Sequence, residues 1–145
     1  MPCRRGVGPR WSGFSTADVV YHVTLADALA AHEEALTYGG RPGVTNLALI
    51  ESAIGRPYSG YYEDLAEMAA ALLESLVKNH GFVDGNKRTA WLVTELFIER
   101  SGWRLDVPDD EPVDDLVVGV ADGSIRFDAV ATWLRARLIE GGRGA

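Results

Sequence analysis

A short stretch near the middle of the chain, HGFVDGNKR at residues 80–88, holds an imidazole, a carboxylate, an amide, an ammonium and a guanidinium. His80 can take up a proton near neutral pH. Asp84 can bind a magnesium ion that also holds phosphate oxygens. Lys87 and Arg88 supply positive charge at the same place. A base, a metal ligand and an anion site together predict phosphoryl or nucleotidyl transfer.

These residues fall between two predicted helices. The pattern EDLAEMAAALLESLVKNHG predicts a helix that ends near His80, and KRTAWLVTELFIERSGW predicts a second one that is apolar nearly all round and therefore central. The first N–H groups of a helix lack partners within it, so the start of the second helix favours an anion, above all a phosphate. Gly85 lets the main chain approach such a ligand, and Asn86 either hydrogen-bonds a phosphate oxygen or holds the turn.

Each polar residue taken singly also has an ordinary structural explanation. A histidine at the end of a helix interacts with the helix dipole, and Asp-Gly-Asn is common in turns. We expect Phe82 to be an apolar plug that fixes the turn, and His32, on an apolar helix face, to be a buried structural histidine. The joint spacing of the polar residues around one turn is what favours a functional site.

The remaining periodicity predicts an all-α fold. TLADALAAHEEALTYGG is a helix that Thr24 caps and that Gly39 and Gly40 end. No convincing alternating strand is present, although the loop before Tyr61 allows a short hairpin. Three shorter helices are expected over residues 46–54, 110–120 and 128–139.

Composition limits the class of protein. Residues 1–18 are rich in Gly, Arg, Pro and Ser and are predicted to be a flexible extension, followed by one domain over residues 19–145. No run of 18 apolar residues exists, and Cys3 is the single cysteine, which excludes an internal disulfide. Fourteen basic and 21 acidic residues give a net charge of −7, which argues against a broad nucleic-acid surface. A cytoplasmic protein is the default expectation.

The stretch at residues 80–88 matches every fixed position of the signature H-x-F-x-[D/E]-G-N-[G/K]-R. The chain therefore resembles the Fic/Doc family, and specifically its Doc (death-on-curing) toxin branch. The likeness covers about residues 21–138, including HEEALTYGGRPGVTNLALIESAIGRPYS before the signature and VADGSIRFDAVATWL after it. It implies a compact helical bundle with the active-site turn between two central helices.

The resemblance also implies a role for each residue of the turn. His80 would be the general base that activates a hydroxyl group on a target protein, and Asp84 would bind Mg²⁺. The loop from Arg56 to Tyr61 would resemble the flap that aligns the target segment. The implied catalytic set is His80, Asp84, Asn86, Lys87 and Arg88, of which the last three, with Gly85, would hold the phosphates of ATP.

Members of the Doc branch are toxins that an antitoxin protein inhibits in trans and that act on translation elongation factor Tu. The expected activity is transfer of the γ-phosphate of ATP to a target hydroxyl, which blocks translation. Lys87 replaces the glycine of adenylylating members and Trp91 replaces their second arginine, and both changes favour phosphate over AMP transfer. Gly85, by contrast, is the general Fic residue, so the pose of the nucleotide stays open. Adenylyl transfer and a catalytically silent binding partner are the alternatives.

Self-inhibited Fic proteins resemble one another in carrying a helix with the pattern [S/T]-x-x-x-E-[G/N]. The nearest fit is ARLIEG at residues 136–141, where Ala136 replaces the hydroxyl residue. We treat this match as coincidence and expect inhibition to come from another chain.

Overall fold

The computed structural model describes residues 20–141, and helices dominate this range. This confirms the predicted all-α class. The extension predicted for residues 1–18 lies outside the described residues, and none of the helices described is long and apolar enough to cross a membrane. In chain order the elements are α1 (Leu25–Leu36), α2 (Leu47–Gly55), a 3-10 turn (Arg56–Tyr58), α3 (Leu65–Asn79), α4 (Asn86–Arg100), β1 (Trp103–Leu105), α5 (Val113–Asp122), α6 (Phe127–Arg137) and β2 (Leu138–Glu140).

Helix α3 is the centre of the fold and contacts α2, α4, α5 and α6. Leu65, Leu72 and Leu73 are completely buried on it, as are four alanines that let the neighbouring helices approach closely. Burial of each leucine contributes roughly 1.5–3 kcal/mol, so packing rather than helix propensity fixes this element. Asp64 caps its start by accepting the Glu67 N–H at 2.9 Å. Helix α3 is thus a firm support for the turn that follows it.

Helix α4 packs against both α3 and α1, as its apolar pattern predicts. Its buried residues include Ala90, Val93, Phe97 and Ile98, which join the same core as the leucines of α3. The helices on the two sides of residues 80–85 are therefore both core elements. The turn between them is held at each end.

Helix α1 begins and ends where the sequence predicts. The Thr24 hydroxyl accepts the Asp27 N–H at 3.1 Å, and the Asp27 carboxylate accepts the Thr24 N–H at 3.0 Å, which forms a capping box. Gly39 and Gly40 follow the helix with φ of 113° and 111°, a region that glycine adopts readily. These glycines redirect the chain from α1 toward the turn after α3.

The expectation that the loop before Tyr61 could form a short hairpin is wrong. Arg56–Tyr58 forms a 3-10 turn directly after α2. Pro57 explains this, because its fixed φ suits the first turn of a helix and its missing N–H suits no strand ladder. Arg56 is then anchored by Glu74 of α3 at 2.9 Å and by the Tyr62 hydroxyl, also at 2.9 Å.

The last part of the chain also differs from the prediction. The helix expected over residues 128–139 ends at Arg137, and Leu138–Glu140 pairs antiparallel with Trp103–Leu105. Strands of three residues are too short to show an alternating pattern. The helix expected over residues 110–120 is α5, which begins after Pro112 because proline does not extend a helix toward its own N-terminal side.

Candidate active site

The turn at residues 80–85 joins two helix ends that both adopt left-handed conformations. His80 closes α3 with φ 51° and ψ 50°, and it is the one non-glycine residue with positive φ among the residues described. Gly85 precedes α4 with φ 78°. A side chain held in this region is uncommon outside turns and functional sites. The His80 ring is exposed and makes no hydrogen bond within residues 20–141, so it is accessible to a substrate proton.

Asn86 closes the turn on itself. Its side-chain oxygen accepts the Phe82 N–H at 3.1 Å, and its amide nitrogen donates to the Phe82 carbonyl at 2.9 Å. Of the two roles that the sequence left open, holding the turn is the one observed. The second N–H of the amide has no partner among the described residues and is free for a ligand.

Asp84 is bound by main-chain donors on both of its carboxylate oxygens. The Arg41 N–H donates to Oδ2 at 3.0 Å, and the Gly85 N–H donates to Oδ1 at 2.9 Å. These two hydrogen bonds hold the pKa of Asp84 below its usual value. Each oxygen keeps a lone pair that faces no other donor in the described part of the chain. The ionised carboxylate can therefore serve as a metal ligand.

The residues present fit magnesium rather than a metal held by protein alone. No group of three or more His, Cys, Asp and Glu side chains that could hold a metal occurs in residues 20–141. Magnesium is commonly bound by one or two carboxylates together with substrate phosphates and water. Asp84 at the edge of an anion site matches that arrangement.

The start of α4 is open. No side chain caps Gly85, and the first residues of the helix are Asn86, Lys87 and Arg88. Neither cation has an ion pair within residues 20–141, while the Arg88 guanidinium lies over the exposed Tyr38 ring at 4.9 Å. Unpartnered N–H groups, the positive end of the helix dipole and two positively charged residues therefore occur together at the start of one helix. This arrangement can bind the phosphates of a nucleotide.

A second layer of residues holds the turn from behind. Phe82 is 4% exposed, and His32, 5% exposed, stacks on it with the ring centroids 3.9 Å apart. The predictions that Phe82 is a plug and that His32 is buried are both confirmed. His32 also bonds the Asp84 carbonyl through Nε2 at 2.8 Å. Sequence reasoning missed this contact, although a histidine on an apolar helix face was its signal.

The loop after α1 runs alongside the turn. Val44 pairs with Phe82 in an antiparallel bridge, the Val83 N–H donates to the Gly43 carbonyl at 3.0 Å, and the Thr45 N–H donates to the Gly81 carbonyl at 2.9 Å. Gly81 is required here because a Cβ on it would lie 2.4 Å from Ile50 of α2. Residues 43–46 therefore form an extended segment that pairs with the turn beside the site.

The flap that the resemblance suggested at Arg56 to Tyr61 stays a prediction. Arg56 contacts Glu74, Tyr62 and the Phe127 ring, and it lines a pocket together with Lys78 and Asn79, the two residues before His80. The extended segment that does pair with the turn is residues 43–46. The density of glycine and proline in GGRPG was the available signal, because such loops pass close to other main chain.

Comparison with known proteins decides the family. The model of the Fic/DOC family matches residues 22–98, a range that includes the whole turn and the helices on both sides of it. The chain belongs to the Fic/DOC family. It is 37% identical over 119 residues to the protein kinase doc of Escherichia phage P1, covering 79% of this chain and 93% of that protein. It is 36% identical over 105 residues to the toxin Doc of Mycolicibacterium smegmatis, covering 68% of this chain and 81% of that protein.

This Fic/DOC chain has no cation one helical turn after Arg88. Trp91 occupies that position, half-buried and edge-on against Trp133 of α6, with the ring centroids 6.3 Å apart. An indole offers one N–H donor and no charge. The positive charge of the site therefore comes from Lys87 and Arg88 and from Arg41, whose charge acts on Asp84.

Proposed function

We propose that this chain is the toxin of a toxin–antitoxin pair and transfers the γ-phosphate of ATP to a hydroxyl group of a target protein. The observation that carries the proposal is the open start of α4, with the cations Lys87 and Arg88, the carboxylate of Asp84 and the exposed ring of His80 around one turn. The names of its relatives, a protein kinase and a toxin, support the same conclusion. Elongation factor Tu is the proposed target, which would stop translation.

The turn supplies what phosphate transfer needs. His80 removes the proton of the target hydroxyl while its oxygen forms a bond to the γ-phosphorus. The bond between the γ-phosphorus and the β–γ bridging oxygen breaks, ADP leaves, and His80 later releases the proton to water. The N–H groups at the start of α4, with Lys87 and Arg88, stabilise charge on the phosphoryl oxygens. A magnesium ion on Asp84, when bound, would neutralise further charge on the phosphates.

The direction of ATP follows from two positions on α4. Lys87 carries a long side chain at the place where a glycine would leave the main chain open to the α-phosphate. Trp91 has no charge with which to hold the outer phosphates of a nucleotide bound in that pose. We therefore expect the γ-phosphate, rather than the α-phosphate, to lie against Gly85 to Arg88. The alternative, transfer of AMP, needs the opposite pose.

Labelled ATP tests the proposal directly. The chain is incubated with purified elongation factor Tu, magnesium and ATP labelled at either the α or the γ position, with the His80→Asn variant as a control. Label on the target from the γ position alone, together with an added mass of one phosphate, supports the proposal. An AMP mass with retained α-label would replace it with adenylyl transfer. No transfer of either label would favour a silent binding partner.

We propose that the antitoxin binds in trans in the groove between α1 and α4. Its apolar lining consists of Ala30, Ala31, Leu92 and Leu96, and its acidic lining consists of Asp27, Glu34, Glu95 and Glu99. Arg100 also lines it and pairs with Asp27 at 3.6 Å, so three glutamates are left to attract a basic partner. Burial, together with the neighbouring Glu99 carboxylate, raises the pKa of Glu95. A basic amphipathic helix would cover the apolar lining and neutralise these carboxylates, so we propose that the antitoxin presents one.

Charge reversal tests this binding site. The chain is co-expressed with the antitoxin that restores growth, and Glu95→Lys is compared with Glu51→Lys, an exposed glutamate on α2 outside the groove. Loss of the complex and renewed growth inhibition in the first variant alone support the binding site. A complex that survives Glu95→Lys contradicts it.

A further inference from the structure

His32 joins α1 to the active-site turn through two contacts made at once. Its ring stacks on Phe82 with an interplanar angle of 12° and a centroid distance of 3.9 Å. Its Nε2 lies 2.8 Å from the carbonyl oxygen of Asp84. Since that partner is a carbonyl oxygen, which only accepts, Nε2 must carry the proton and donate. His32 is 5% exposed, so the donor side of this hydrogen bond is shielded from water.

The peptide unit that accepts this bond is the one that joins Asp84 to Gly85. Its carbonyl end is held by His32, and its N–H end donates to the Oδ1 of Asp84 at 2.9 Å. Rotation of this peptide would therefore displace the Asp84 carboxylate. It would also displace Gly85, whose left-handed φ of 78° sets the direction in which α4 begins. Both the metal ligand and the anion site depend on this one peptide.

Packing alone does not account for a histidine at this position. The neighbouring buried residues of α1, Ala28 and Ala35, are apolar, and an apolar side chain would stack on Phe82 equally well. A ring with an N–H donor is required only by the Asp84 carbonyl. Without His32 the Asp84 carbonyl would lose this hydrogen-bond donor.

We propose that His32 is a positioning residue for the reaction: it touches neither nucleotide nor target and acts by fixing the Asp84–Gly85 peptide. Its effect on transfer rests on the proposed function above. Its effect on the turn does not, because that effect exists in the ligand-free chain. The expected consequence is a weaker hold on magnesium and ATP with little change in the attack on phosphorus itself.

Two variants separate the donor from the ring. His32→Phe keeps a ring that can stack on Phe82 but removes the N–H, and His32→Gln keeps an N–H near the place of Nε2 but removes the ring. Leu29→Ala, on the same helix and packed against the core, matches the loss of packing without reaching the turn. Thermal unfolding of all three variants shows whether the fold is retained.

The first measurement is amide hydrogen exchange of the ligand-free chain over residues 82–86. His32→Phe should exchange faster there by roughly tenfold, as expected for the loss of one hydrogen bond, while His32→Gln stays within about threefold of the parent chain. Leu29→Ala should leave this segment unchanged. Unchanged exchange in His32→Phe, or faster exchange spread evenly over the whole chain, would overturn the proposal.

The second measurement is the magnesium and ATP dependence of label transfer. His32→Phe should need at least fivefold more magnesium or ATP for half-maximal rate, with kcat within about threefold, and His32→Gln should restore most of the loss. A fall in kcat alone would overturn the positioning role. If the parent chain transfers no label, the proposed function fails, and the exchange experiment still decides whether His32 fixes the turn.

Discussion

The two central helices begin in opposite ways. At the start of α3, the Asp64 carboxylate accepts the Glu67 N–H and is itself held by the Arg135 guanidinium at 3.0 and 3.3 Å. At the start of α4, Gly85 offers no side-chain cap, and the next residues include Lys87 and Arg88, which have no ion pair within residues 20–141. The start of α3 is capped by a side chain of the chain itself, whereas the start of α4 has no such cap and remains available to a ligand.

The difference between the two helix starts separates a residue that stabilises the fold from residues proposed to bind a ligand. A negative charge at a helix N-terminus is favourable by about 0.3–1 kcal/mol, and two cations at that end are unfavourable by a similar amount. The chain therefore gains stability at Asp64 and gives it up at Gly85. This loss of stability is explained if an anion binds between the cations, and the proposed catalytic groups all lie at this helix start. Substitutions at the two starts should accordingly change different properties.

The largest effect is expected at His80. Its replacement removes the one base of the turn, so phosphate transfer should fall by roughly 10²- to 10⁴-fold, and growth inhibition should disappear. His80 already holds its β-carbon in a left-handed conformation, which asparagine tolerates better than alanine does because its side chain can hydrogen-bond locally. His80→Asn should therefore keep the unfolding temperature while losing activity. A His80→Asn variant that is well expressed and fully toxic would end the general-base role.

The second effect is expected at Arg88. Arg88→Ala should weaken ATP binding roughly 10- to 100-fold, because a charge-assisted hydrogen bond contributes about 1.5–3 kcal/mol. Its stability should hardly change, since the lost stacking on Tyr38 is offset by relief at the helix dipole. Calorimetric titration with magnesium and ATP measures the loss.

Arg135→Ala is the matched control for Arg88→Ala, because it removes a guanidinium from the other helix start. We expect it to lower the unfolding temperature and to leave ATP affinity unchanged. Equal losses of affinity in the two variants would mean that net charge, rather than the open helix start, holds the nucleotide.

The third effect is expected at Asp64 and concerns stability. Asp64→Ala removes both the cap and the partner of Arg135, which should lower the free energy of unfolding by about 1–2 kcal/mol. Asp64→Asn keeps a capping oxygen and loses only the charge, so its loss should be smaller. Urea unfolding measures both, and activity per folded molecule should equal that of the parent chain. A selective loss of activity would show that the two helix starts are not independent.

The helical elements could be predicted because their signals are local. Repeats of three and four residues marked α3 and α4, and Thr24 marked the start of α1. The strands β1 and β2 could not, because three residues show no period and their pairing joins residues 103–105 to residues 138–140. The hairpin was expected wrongly for the same reason. The conformation around Pro57 depends on Glu74 of α3, which anchors the neighbouring Arg56 and is distant from it in sequence.

The residues proposed to act on ATP also lie close together in sequence, whereas the residues that hold them in place are distant in sequence. The residues proposed to act on ATP fall within positions 80–88, so a motif reveals them. The residues that hold them come from α1 and the loop after it, and His32 reaches Asp84 across 52 positions of sequence. Only the fold brings these together. The histidine and the glycine-rich loop were visible in the sequence, but their partner was not.

The smallest effect is expected at Glu140, the glutamate of the segment that resembles a self-inhibitory pattern. Leu138–Glu140 is a strand rather than part of a helix, and Glu140 pairs with Trp103, which follows the far end of α4. A helix of 15 residues is about 22 Å long, so this carboxylate lies roughly that far from the open start of α4. Glu140→Gly and Glu140→Gln should therefore leave the transfer rate of the purified chain within about twofold. Activation of both variants by tenfold or more would show that the chain closes its own anion site, and the contrast between a satisfied and an open helix start would then describe only one of its states.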